Sequence, residues 1–242
     1  MELKSTRTAD GSLTYYHPLI GEHYHSIHGA LQESRHVFLD TGARHYLKQH
    51  PEKNDLHILE VGFGTGLNFL LSADYCQQEG IKLHYCGIEK YPLSKDQLMQ
   101  TAYAQHLQDP GIAQALYTQY APETQAEQVL HPLLCLDLKV CDVRSFTSTR
   151  HFDLLYFDAF AVNHQPEMWE KDTLWQVCQY LKPGGILVTY AITGNLKRNL
   201  KALGFTIEKL PGAPGKREML RATRSAFPSY PQNGHNNPED PR

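Results

Sequence analysis

Three glycines spaced two apart stand where an apolar run ends and a helical pattern begins. The run covers residues 58–61, the glycines are Gly62, Gly64 and Gly66, and apolar residues resume at Leu67. This pattern predicts a strand, a tight turn and a helix. Glycine suits such a turn because a Cβ would block both a positive φ and the close approach of a ligand. We therefore expect a cofactor to bind at this turn.

The glycine spacing, and the acid that precedes it, separate two classes of cofactor. A dinucleotide site has the pattern G-x-G-x-x-G, whereas this turn reads G-x-G-x-G and follows Glu60. A pyrophosphate needs donors and no nearby carboxylate, while S-adenosylmethionine carries a sulfonium and an ammonium that a carboxylate favours. The sequence favours S-adenosylmethionine, and a glycine turn without a ligand is the alternative. The candidate cofactor-binding residues of this stretch are Glu60, Gly62, Gly64, Gly66 and Asn68.

Three further carboxylates follow predicted strands. Glu89 stands in the strand predicted over residues 83–90, about twenty residues past the turn, where a second parallel strand delivers a carboxylate to ribose hydroxyls. Asp142 follows the third strand and can accept from an exocyclic amine such as adenine N6. Asp158 follows the fourth strand, residues 152–157, at the carboxyl edge where ligands bind in open parallel sheets. The alternatives are a solvent-facing strand end for Glu89 and an ordinary loop carboxylate for Asp142.

The composition is that of an ordinary globular protein. The chain has 242 residues, of which 41% are hydrophobic and 20% charged, so it can bury a sizeable core in one larger or two small domains. It has no apolar run of about 18 residues and no apolar signal core at its N-terminus. We therefore expect a cytoplasmic protein with no membrane partner.

Cysteines and clustered histidines were weighed as metal ligands. The five cysteines show no C-x-x-C spacing, which indicates reduced thiols and argues against both disulfides and a zinc site. His23, His25 and His28 lie close together, but no carboxylate accompanies them at helical spacing. The pattern favours a loop with solvated or hydrogen-bonded histidines, so no metal is expected.

The alternation of apolar segments predicts the architecture. A small hairpin around Asp10 is followed by helical material over residues 30–49, broken near Gly42, which is expected to cap the cofactor pocket or shape the substrate mouth. Strands and helices then alternate up to Ala191, which indicates a doubly wound, mainly parallel sheet, closed by an antiparallel hairpin. The predicted units are residues 1–50 as hairpin and helical cap, 51–224 as the sheet domain and 225–242 as a disordered tail.

Positive charge is concentrated near the C-terminus. Residues 195–224 contain eight Lys or Arg and two acids, although the whole chain carries a net charge of −3. A local basic face on an acidic protein suits contacts with a phosphate backbone, and the alternative is a solvated cationic surface. Lys216 and Arg217 are the candidates for phosphate contacts.

Several strings, in colinear order between Ser26 and Arg221, resemble the methyltransferase unit of the MnmC family, which also occurs alone as MnmD. The chain reads D-A-F-A at residues 158–161, where the common form in the family is D-G-F-A-P. The matching strings are GALQESRHVF (29–38), EVGFGTGLNF (60–69), EKYPL (89–93), FDAFA (157–161), PEMW (166–169), LKPGG (181–185) and GKREML (215–220).

The resemblance implies a fold, a reaction and a partner. The fold would be the Rossmann-like fold of class I S-adenosylmethionine-dependent methyltransferases, with residues 51–224 as the methyltransferase domain. The reaction would be methylation of the aminomethyl group on carbon 5 of the wobble uridine, in the anticodon region of certain tRNAs, to give 5-methylaminomethyl-(2-thio)uridine. Fused relatives carry an FAD-dependent domain that first removes a carboxymethyl group. This chain shows no dinucleotide fingerprint, so we expect it to perform the methylation alone, without an FAD domain.

The chemistry assigns roles to a few residues. Methyl transfer is an in-line displacement by a neutral amine, and a primary alkylamine is mostly protonated at neutral pH. Asp158 is the candidate to orient the amine and accept its proton, and Phe160 could form an apolar or stacking wall for the base. Three alternatives stay open: a small-molecule or protein N-methyltransferase, a nicotinamide-dependent dehydrogenase and a non-catalytic RNA-binding module.

Overall fold

The computed structural model describes residues 3–124 and 126–225, which form two sheets and seven α-helices. The helices are α1 (Ala30–Ser34), α2 (His45–Gln49), α3 (Leu67–Gln78), α4 (Lys95–Gln100), α5 (Pro110–Gln119), α6 (Lys171–Cys178) and α7 (Gly194–Ala202). The strands are β1 (Lys4–Arg7), β2 (Leu13–His17), β3 (Glu22–His23), β4 (Asp55–Val61), β5 (Lys82–Glu89), β6 (Gln128–His131), β7 (Leu134–Val140), β8 (Phe152–Phe157), β9 (Leu181–Thr189), β10 (Phe205–Pro211) and β11 (Glu218–Arg224).

The larger sheet has eight strands in the order β10-β11-β9-β8-β4-β5-β7-β6. The five central strands, from β9 to β7, are parallel, and β10 and β11 add an antiparallel hairpin at one edge. The predicted fold class is therefore confirmed. The sequence did not indicate β6, which pairs antiparallel with β7 at the other edge, because its four residues contain only two apolar side chains.

The parallel register brings the functional carboxylates to one edge of the sheet. Val61 at the end of β4 pairs with Ile88 on β5 and with Phe157 at the end of β8. Glu89, one residue further along β5, pairs with Val140 at the end of β7. The residues that follow these strands are therefore neighbours, although they are far apart in the sequence.

The sheet has a hydrophobic core on each face. Along β4, Leu56 and Ile58 belong to one core, and Leu59 and Val61 belong to the other. This change of face along the strand follows the two-residue period of a strand buried on both sides. The N-terminal segment and α3 cover the first face, while α6 and α7 cover the second. Tyr15 and the helical segment that starts at α1 share the first core with the sheet, and the predicted division at residue 50 stays a prediction.

The helical segment over residues 30–49 is continuous, so the predicted break near Gly42 is wrong. A π-helical stretch, Arg35–Arg44, joins α1 directly to α2. A Cβ on Gly42 would lie 3.0 Å from the Tyr156 ring and 3.2 Å from Val188 on the sheet below. Gly42 therefore serves close helix-to-sheet packing instead of ending the helix.

The sequence pattern also predicts helices over residues 93–106 and 166–181 and a strand from residue 186, and all three differ from the structure. The helix expected over residues 93–106 is α4 followed by a 3₁₀ turn, Tyr103–His106. The helix expected over residues 166–181 is a 3₁₀ turn, Pro166–Trp169, followed after Glu170 by α6. The strand expected from residue 186 begins earlier, at Leu181, and has an irregular register against β8.

The predicted N-terminal hairpin is confirmed, since β1 and β2 pair antiparallel around the turn at Asp10. β3 adds a third strand to this small sheet. Of the predicted disordered tail, residues 226–242 lie outside the described residues. Among the described helices, none has the length and apolar character to cross a membrane.

Candidate active site

A cavity of about 510 Å³ opens at the carboxyl edge of the parallel strands. Its volume lies within the range of roughly 300–1,000 Å³ that is usual for small-molecule sites. The predicted residues that line it are Gly62, Gly64, Glu89, Asp142, Asp158, Phe160 and Lys216. The remaining predicted residues, Glu60, Gly66, Asn68 and Arg217, are not among those that line it.

Gly62 makes the approach of two strand ends possible. Its φ is +86°, and a Cβ built on it would lie 2.4 Å from the carbonyl oxygen of Asp158. The N–H groups of Gly62 and Phe63 both donate to the carbonyl oxygen of Ile88, at 3.0 and 3.1 Å. These turn donors are engaged within the protein. The N–H groups of Gly62 and Phe63 are therefore not the free donors that a pyrophosphate needs.

Glu89 joins the glycine turn to the segment after β5. Its Oε2 accepts from the N–H of Gly64 and its Oε1 from the N–H of Tyr91, both at 2.9 Å. Burial is the main cause that raises the pKa of Glu89. Each carboxylate oxygen has two lone pairs, so both oxygens keep acceptor capacity toward the cavity. That capacity suits the vicinal hydroxyls of a ribose.

Glu60 lies beneath the cavity, so the structure does not support the predicted direct contact with the cofactor. Its side chain is completely buried, with Oε1 accepting from Asn68 Nδ2 and Oε2 from the Tyr85 hydroxyl, both at 2.8 Å. Burial, and then the nearby charge of Asp158, raise the pKa of Glu60 well above its usual value. Its visible role is to hold Asn68.

Asn68 connects Glu60 to Asp158. Its Nδ2 also donates to Oδ2 of Asp158, at 2.8 Å, so one amide group contacts carboxyl groups from two different strands. The Oδ1 atom of Asn68 is buried and has no hydrogen-bond partner among the described residues. Asn68 therefore acts on the orientation of Asp158 and does not itself line the cavity.

Asp158 is the carboxyl group best placed for chemistry. Its backbone N–H donates to Val61 at 2.9 Å, which fixes the start of the loop after β8. Burial is the largest cause that raises its pKa to about 8, and the charge of Glu33 adds to this, while the Asn68 hydrogen bond and Lys216 oppose it. Such a carboxyl group can exchange a proton near neutral pH.

Lys216 reaches into the cavity and is part of a buried ion pair. Its Nζ lies 2.6 Å from Oε1 of Glu33, which is only 5% exposed, and 3.5 Å from the ring centroid of Tyr190. The other oxygen of Glu33 accepts from the N–H of Ser26 at 2.9 Å. The structure therefore separates Lys216 from its exposed neighbour Arg217, although the sequence analysis assigned both to phosphates.

An aromatic cluster and a loop held by a hydrogen bond lie beside Asp158. The Phe160 ring contacts Tyr24 and His17 edge to face, with centroids 5.2 and 5.7 Å apart. The N–H of Ala161 donates to Glu22 at 2.7 Å, so the D-A-F-A loop has a fixed shape. Tyr24 also packs over the glycine turn, since a Cβ on Gly64 would lie 3.0 Å from its ring.

Asp142 lines the cavity, but its acceptor positions are occupied. Its Oδ1 accepts from the backbone N–H and Nε of Arg144, and its Oδ2 accepts from Nη2 of Arg144 and from Nζ of Lys90. The hydrogen bonds to Arg144 are the main cause that lowers its pKa. A carboxylate has about four lone-pair sites. An exocyclic amine would therefore have to displace one of these donors.

The three N-terminal histidines have separate environments. His25 is buried, with Nε2 2.6 Å from the Thr65 hydroxyl, and burial lowers its pKa to about 4. Nε2 of His23 lies 3.3 Å from the Thr6 hydroxyl, and His28 is exposed. His25 therefore fixes the small sheet to the glycine turn.

Half of the eight basic residues near the C-terminus have partners within the protein. Besides the Lys216 pair, Arg221 contacts Glu208 at 2.9 Å, Lys209 lies 4.0 Å from Glu218, and Arg224 donates to main-chain carbonyls. Four of the eight have neither an ion pair nor a side-chain hydrogen bond among the described residues, namely Lys197, Arg198, Lys201 and Arg217. The free basic surface is therefore smaller than the sequence count indicated.

The lining residues that the sequence analysis did not assign to the site include Glu22, Tyr24, Glu33 and Tyr190. Tyr190 directly follows β9, so the strand-end argument that identified Asp158 applies to it as well. Glu33 lies in one of the strings that resemble the MnmC family. Glu22 and Tyr24 belong to the small N-terminal sheet and had no local signal.

The charges that line the cavity fit a cationic ligand. They comprise six carboxyl groups, from three Glu of the first ninety residues, Asp142, Asp158 and Glu167, against three Lys or Arg side chains. An excess of carboxylates lowers the free energy of a bound sulfonium or ammonium. This set of side chains fits S-adenosylmethionine.

Residues 108–225 match a family described as S-adenosyl-L-methionine-dependent methyltransferase. The mainly parallel sheet and the cavity at its carboxyl edge agree with this match. The chain is also similar to MnmC proteins. It is 34% identical over 214 residues, or 85% of its length, to the tRNA 5-methylaminomethyl-2-thiouridine biosynthesis bifunctional protein MnmC of Pseudomonas savastanoi pv. phaseolicola.

Other relatives agree with this relationship. The protein of the same name from Leptospira borgpetersenii is 31% identical over 217 residues. The chain spans about one third of these relatives, 32% of the first and 33% of the second. The crystal structure of MnmC2 from Aquifex aeolicus superposes with a TM-score of 0.73 and 23% identity, covering 97% of this chain and 74% of that one. This likeness shows the shared fold.

Proposed function

We propose that this protein transfers a methyl group from S-adenosylmethionine to the exocyclic amine of 5-aminomethyl-(2-thio)uridine at the wobble position of tRNA. The observation that carries the proposal is Asp158, a cavity carboxyl with a pKa raised to about 8 beside the glycine turn. The names of the relatives support the nucleoside. A tRNA substrate implies the cytoplasm as the place of action.

The glycine turn and Glu89 hold the methyl donor in this proposal. S-adenosylmethionine supplies a methyl group that is activated by its sulfonium. Gly62 and Gly64 line the cavity beside the donor, and Glu89 accepts from the ribose hydroxyls with its remaining lone pairs. Asp142 lies further along the same edge of the sheet. It can accept a hydrogen bond from the adenine amine only if Lys90 or Arg144 releases one of its oxygens.

Asp158 prepares the acceptor amine. An alkylammonium has a pKa of about 10.4, so an ordinary aspartate near 4 would accept its proton with great difficulty. Burial of Asp158 reduces this mismatch by raising the carboxyl pKa to about 8. Asn68 holds Oδ2 at 2.8 Å, which leaves Oδ1 for the amine. The proton moves from the ammonium nitrogen to this oxygen, and the nitrogen lone pair is then free to attack.

Lys216 and Phe160 shape the acceptor side. The Lys216 ammonium lies in the cavity, where its charge disfavours a second ammonium and favours the neutral amine. Phe160 and Tyr24 present aromatic surface on which an unstacked base can pack. Arg217 is exposed next to Lys216 and is placed to contact the phosphate backbone outside the cavity.

The test is transfer of labelled methyl groups to tRNA from cells that lack this activity. We expect label in 5-methylaminomethyl-(2-thio)uridine after nucleoside analysis, and none with Asp158→Ala. Label in another nucleoside would overturn the assignment of the acceptor. Absence of heat on titration with S-adenosylmethionine or S-adenosylhomocysteine would overturn the donor site itself.

A small-molecule or protein N-methyltransferase is the second candidate. It is favoured by one observation, which is that half of the C-terminal basic residues have partners within the protein. Initial rates with undermodified tRNA and with free alkylamines at equal concentration separate the two. A rate with free amines that matches the rate with tRNA would favour the second candidate.

A further inference from the structure

A second group of reactive side chains lies away from the cavity, near the amino ends of the parallel strands. His84 on β5 and Cys135 on β7 are register partners, and Glu127 directly precedes β6. The ligand atoms of these three residues all lie within 4.8 Å of one another. Because parallel strands begin at one edge of the sheet and end at the other, this group is separated from Asp158 by the length of the strands.

In the described part of the chain, the ligand atoms of His84 and Cys135 make no hydrogen bond to another side chain, whereas Glu127 is paired with Arg150. Nδ1 of His84 lies 3.9 Å from Oε1 of Glu127. Cys135 is buried and reduced. A partly buried imidazole normally has a hydrogen-bond partner, so its absence here calls for another explanation.

A neighbouring histidine fixes the ring of His84. His57 on β4 is the register partner of His84, and the two rings stack 4.5 Å apart at an interplanar angle of 10°. Asp55 lies 3.1 Å from Nε2 of His57, while Nδ1 of His57 is buried and has no partner in the described part of the chain. The stack orients His84 in the way that outer contacts orient metal ligands.

We propose that His84, Glu127 and Cys135 bind a divalent transition-metal ion of the zinc class. An imidazole nitrogen, a thiolate and a carboxylate form a borderline-soft donor set that suits Zn²⁺ and its neighbours and does not suit Mg²⁺ or Ca²⁺. The thiol of Cys135 loses its proton to solvent as the metal–sulfur bond forms. The thiolate and the Glu127 carboxylate then supply two negative charges, against the two positive charges of the ion and the one of Arg150. Three protein ligands leave a fourth tetrahedral position for water.

Arg150 supports Glu127 and does not replace the metal. Its Nη1 and Nη2 donate to the two oxygens of Glu127, at 2.6 and 3.1 Å. Each oxygen keeps a further lone pair, so Glu127 can contact both Arg150 and a metal ion. In the metal-free protein, Arg150 neutralises Glu127, which lets the cluster persist without the ion.

The bound metal would fix the edge of the sheet. β6 is a four-residue edge strand with a register shift between Val129 and His131. A metal ion would tie the residue before β6 to β5 and β7, which are more central. The sequence showed no C-x-x-C spacing because the three ligands come from separate strands and meet only through the register.

The test uses the full chain, freed of metal by a chelator. Zinc titration followed by calorimetry is expected to show one tight ion, and Co²⁺ is expected to give a thiolate-to-metal charge-transfer band. Cys135→Ser should abolish the band, and His84→Gln should weaken binding at least about tenfold. Cys178→Ser and His151→Gln are matched controls on other elements and should leave both readouts unchanged.

A second measurement works on the unsubstituted chain. Zinc should protect Cys135 from alkylation, measured by mass spectrometry, and should leave Cys141, the more exposed thiol, as reactive as before. Equal zinc affinity in Cys135→Ser, a cobalt spectrum without a sulfur band, or no protection of Cys135 would each show adventitious binding and overturn the site.

Discussion

At the scale of the residue, the proposed chemistry depends on a carboxyl group in an unusual environment. Asp158 is buried near three other carboxyl groups, Glu22, Glu33 and Glu60, while Asn68 and Lys216 favour its ionised form. A cationic donor and an ammonium acceptor would both stabilise the ionised form when they bind. Asp158 is therefore expected to lose its proton as the site fills and to recover one from the acceptor.

Replacement of the base should change the pH dependence of catalysis. Asp158→Asn should lower kcat by at least about 100-fold, because general-base catalysis contributes about 10²–10⁴. For the unmodified protein, kcat/KM should rise with pH and level off near 8, where Asp158 has lost its proton. For the variant, the slower rate should keep rising toward the amine pKa of about 10.4. Identical profiles from single-turnover assays would exclude Asp158 as the base.

The same substitution should change how stability depends on pH. The pKa of Asp158 rises from 3.8 to about 8 on folding, so between these values the folded state binds a proton that the unfolded state lacks. The free energy of unfolding therefore falls as pH rises through this window. Asp158→Asn removes that slope, so the variant should gain stability relative to the unmodified protein from pH 5 to pH 8. Denaturant titrations that show a constant difference would contradict this.

Substitutions of Lys216 and Arg217 should have different effects, although the two residues are adjacent in the sequence. Lys216→Met removes a charge that lowers the pKa of Asp158 and leaves buried Glu33 unpaired, so the pH at which kcat/KM levels off should rise. Arg217→Met is the matched control, since Arg217 is exposed. It should weaken tRNA binding without moving that pH. A shift of equal size in both variants would assign the effect to general electrostatics.

At the scale of the element, the turn between β4 and α3 sets the geometry of the site. Gly62→Ala would place a Cβ 2.4 Å from the Asp158 carbonyl, so the loop after β8 would have to move. We expect a loss of about 1–3 kcal/mol of stability together with a loss of S-adenosylmethionine binding. Urea titration and calorimetry measure the two effects.

Gly80→Ala is the control for this prediction. Gly80 also has a positive φ, +68°, but a Cβ on it would have no neighbour within 4 Å. It should lose about 1–2 kcal/mol of stability from the backbone conformation alone and bind the cofactor normally. Normal cofactor binding by Gly62→Ala would show that the Asp158 loop tolerates the shift.

An element could be predicted from the sequence when the interactions that form it lie within a short stretch of the chain. The central strands were predicted because their apolar runs are continuous, and the strand-end argument then identified Glu89 and Asp158. The helix break at Gly42 was wrongly predicted because a glycine in a helical pattern often marks the end of a helix. The close packing of Gly42 on Tyr156 exists only after the chain has folded. Glu60 lies near the end of β4 as expected, but its side chain is buried in the core. The residue type alone does not show which face of the strand a side chain occupies.

The interaction partners of the predicted site residues were the part of the site that the sequence predicted least well. The Glu33–Lys216 pair joins residues 183 positions apart, and the Glu22 contact with Ala161 joins residues 139 positions apart. No periodicity or local motif carries such information. Sequence reasoning therefore predicted candidate reactive groups that line the cavity, but it did not predict the groups that set their charge.

At the scale of the whole molecule, carboxyl groups outnumber basic side chains in the cavity, and a few exposed basic side chains near the C-terminus lie outside it. The exposed pair Arg198 and Lys201 on α7 has no ion-pair partner among the described residues. If α7 contacts tRNA, Arg198→Ala with Lys201→Ala should flatten the salt dependence of binding by roughly 0.7 in log–log slope for each lost phosphate contact. An unchanged slope in filter binding across salt concentrations would direct attention to Arg217 instead.

The Glu33–Lys216 pair has a further consequence for biosynthesis. A nascent chain that has released α1 and all five parallel strands from the ribosome still lacks the cation that neutralises Glu33, because Lys216 is synthesised near the end of the sheet. Until the closing hairpin is translated, a burial-prone carboxylate stays without its counter-ion. We therefore expect the cavity to reach its final charge arrangement only after the closing hairpin has been synthesised.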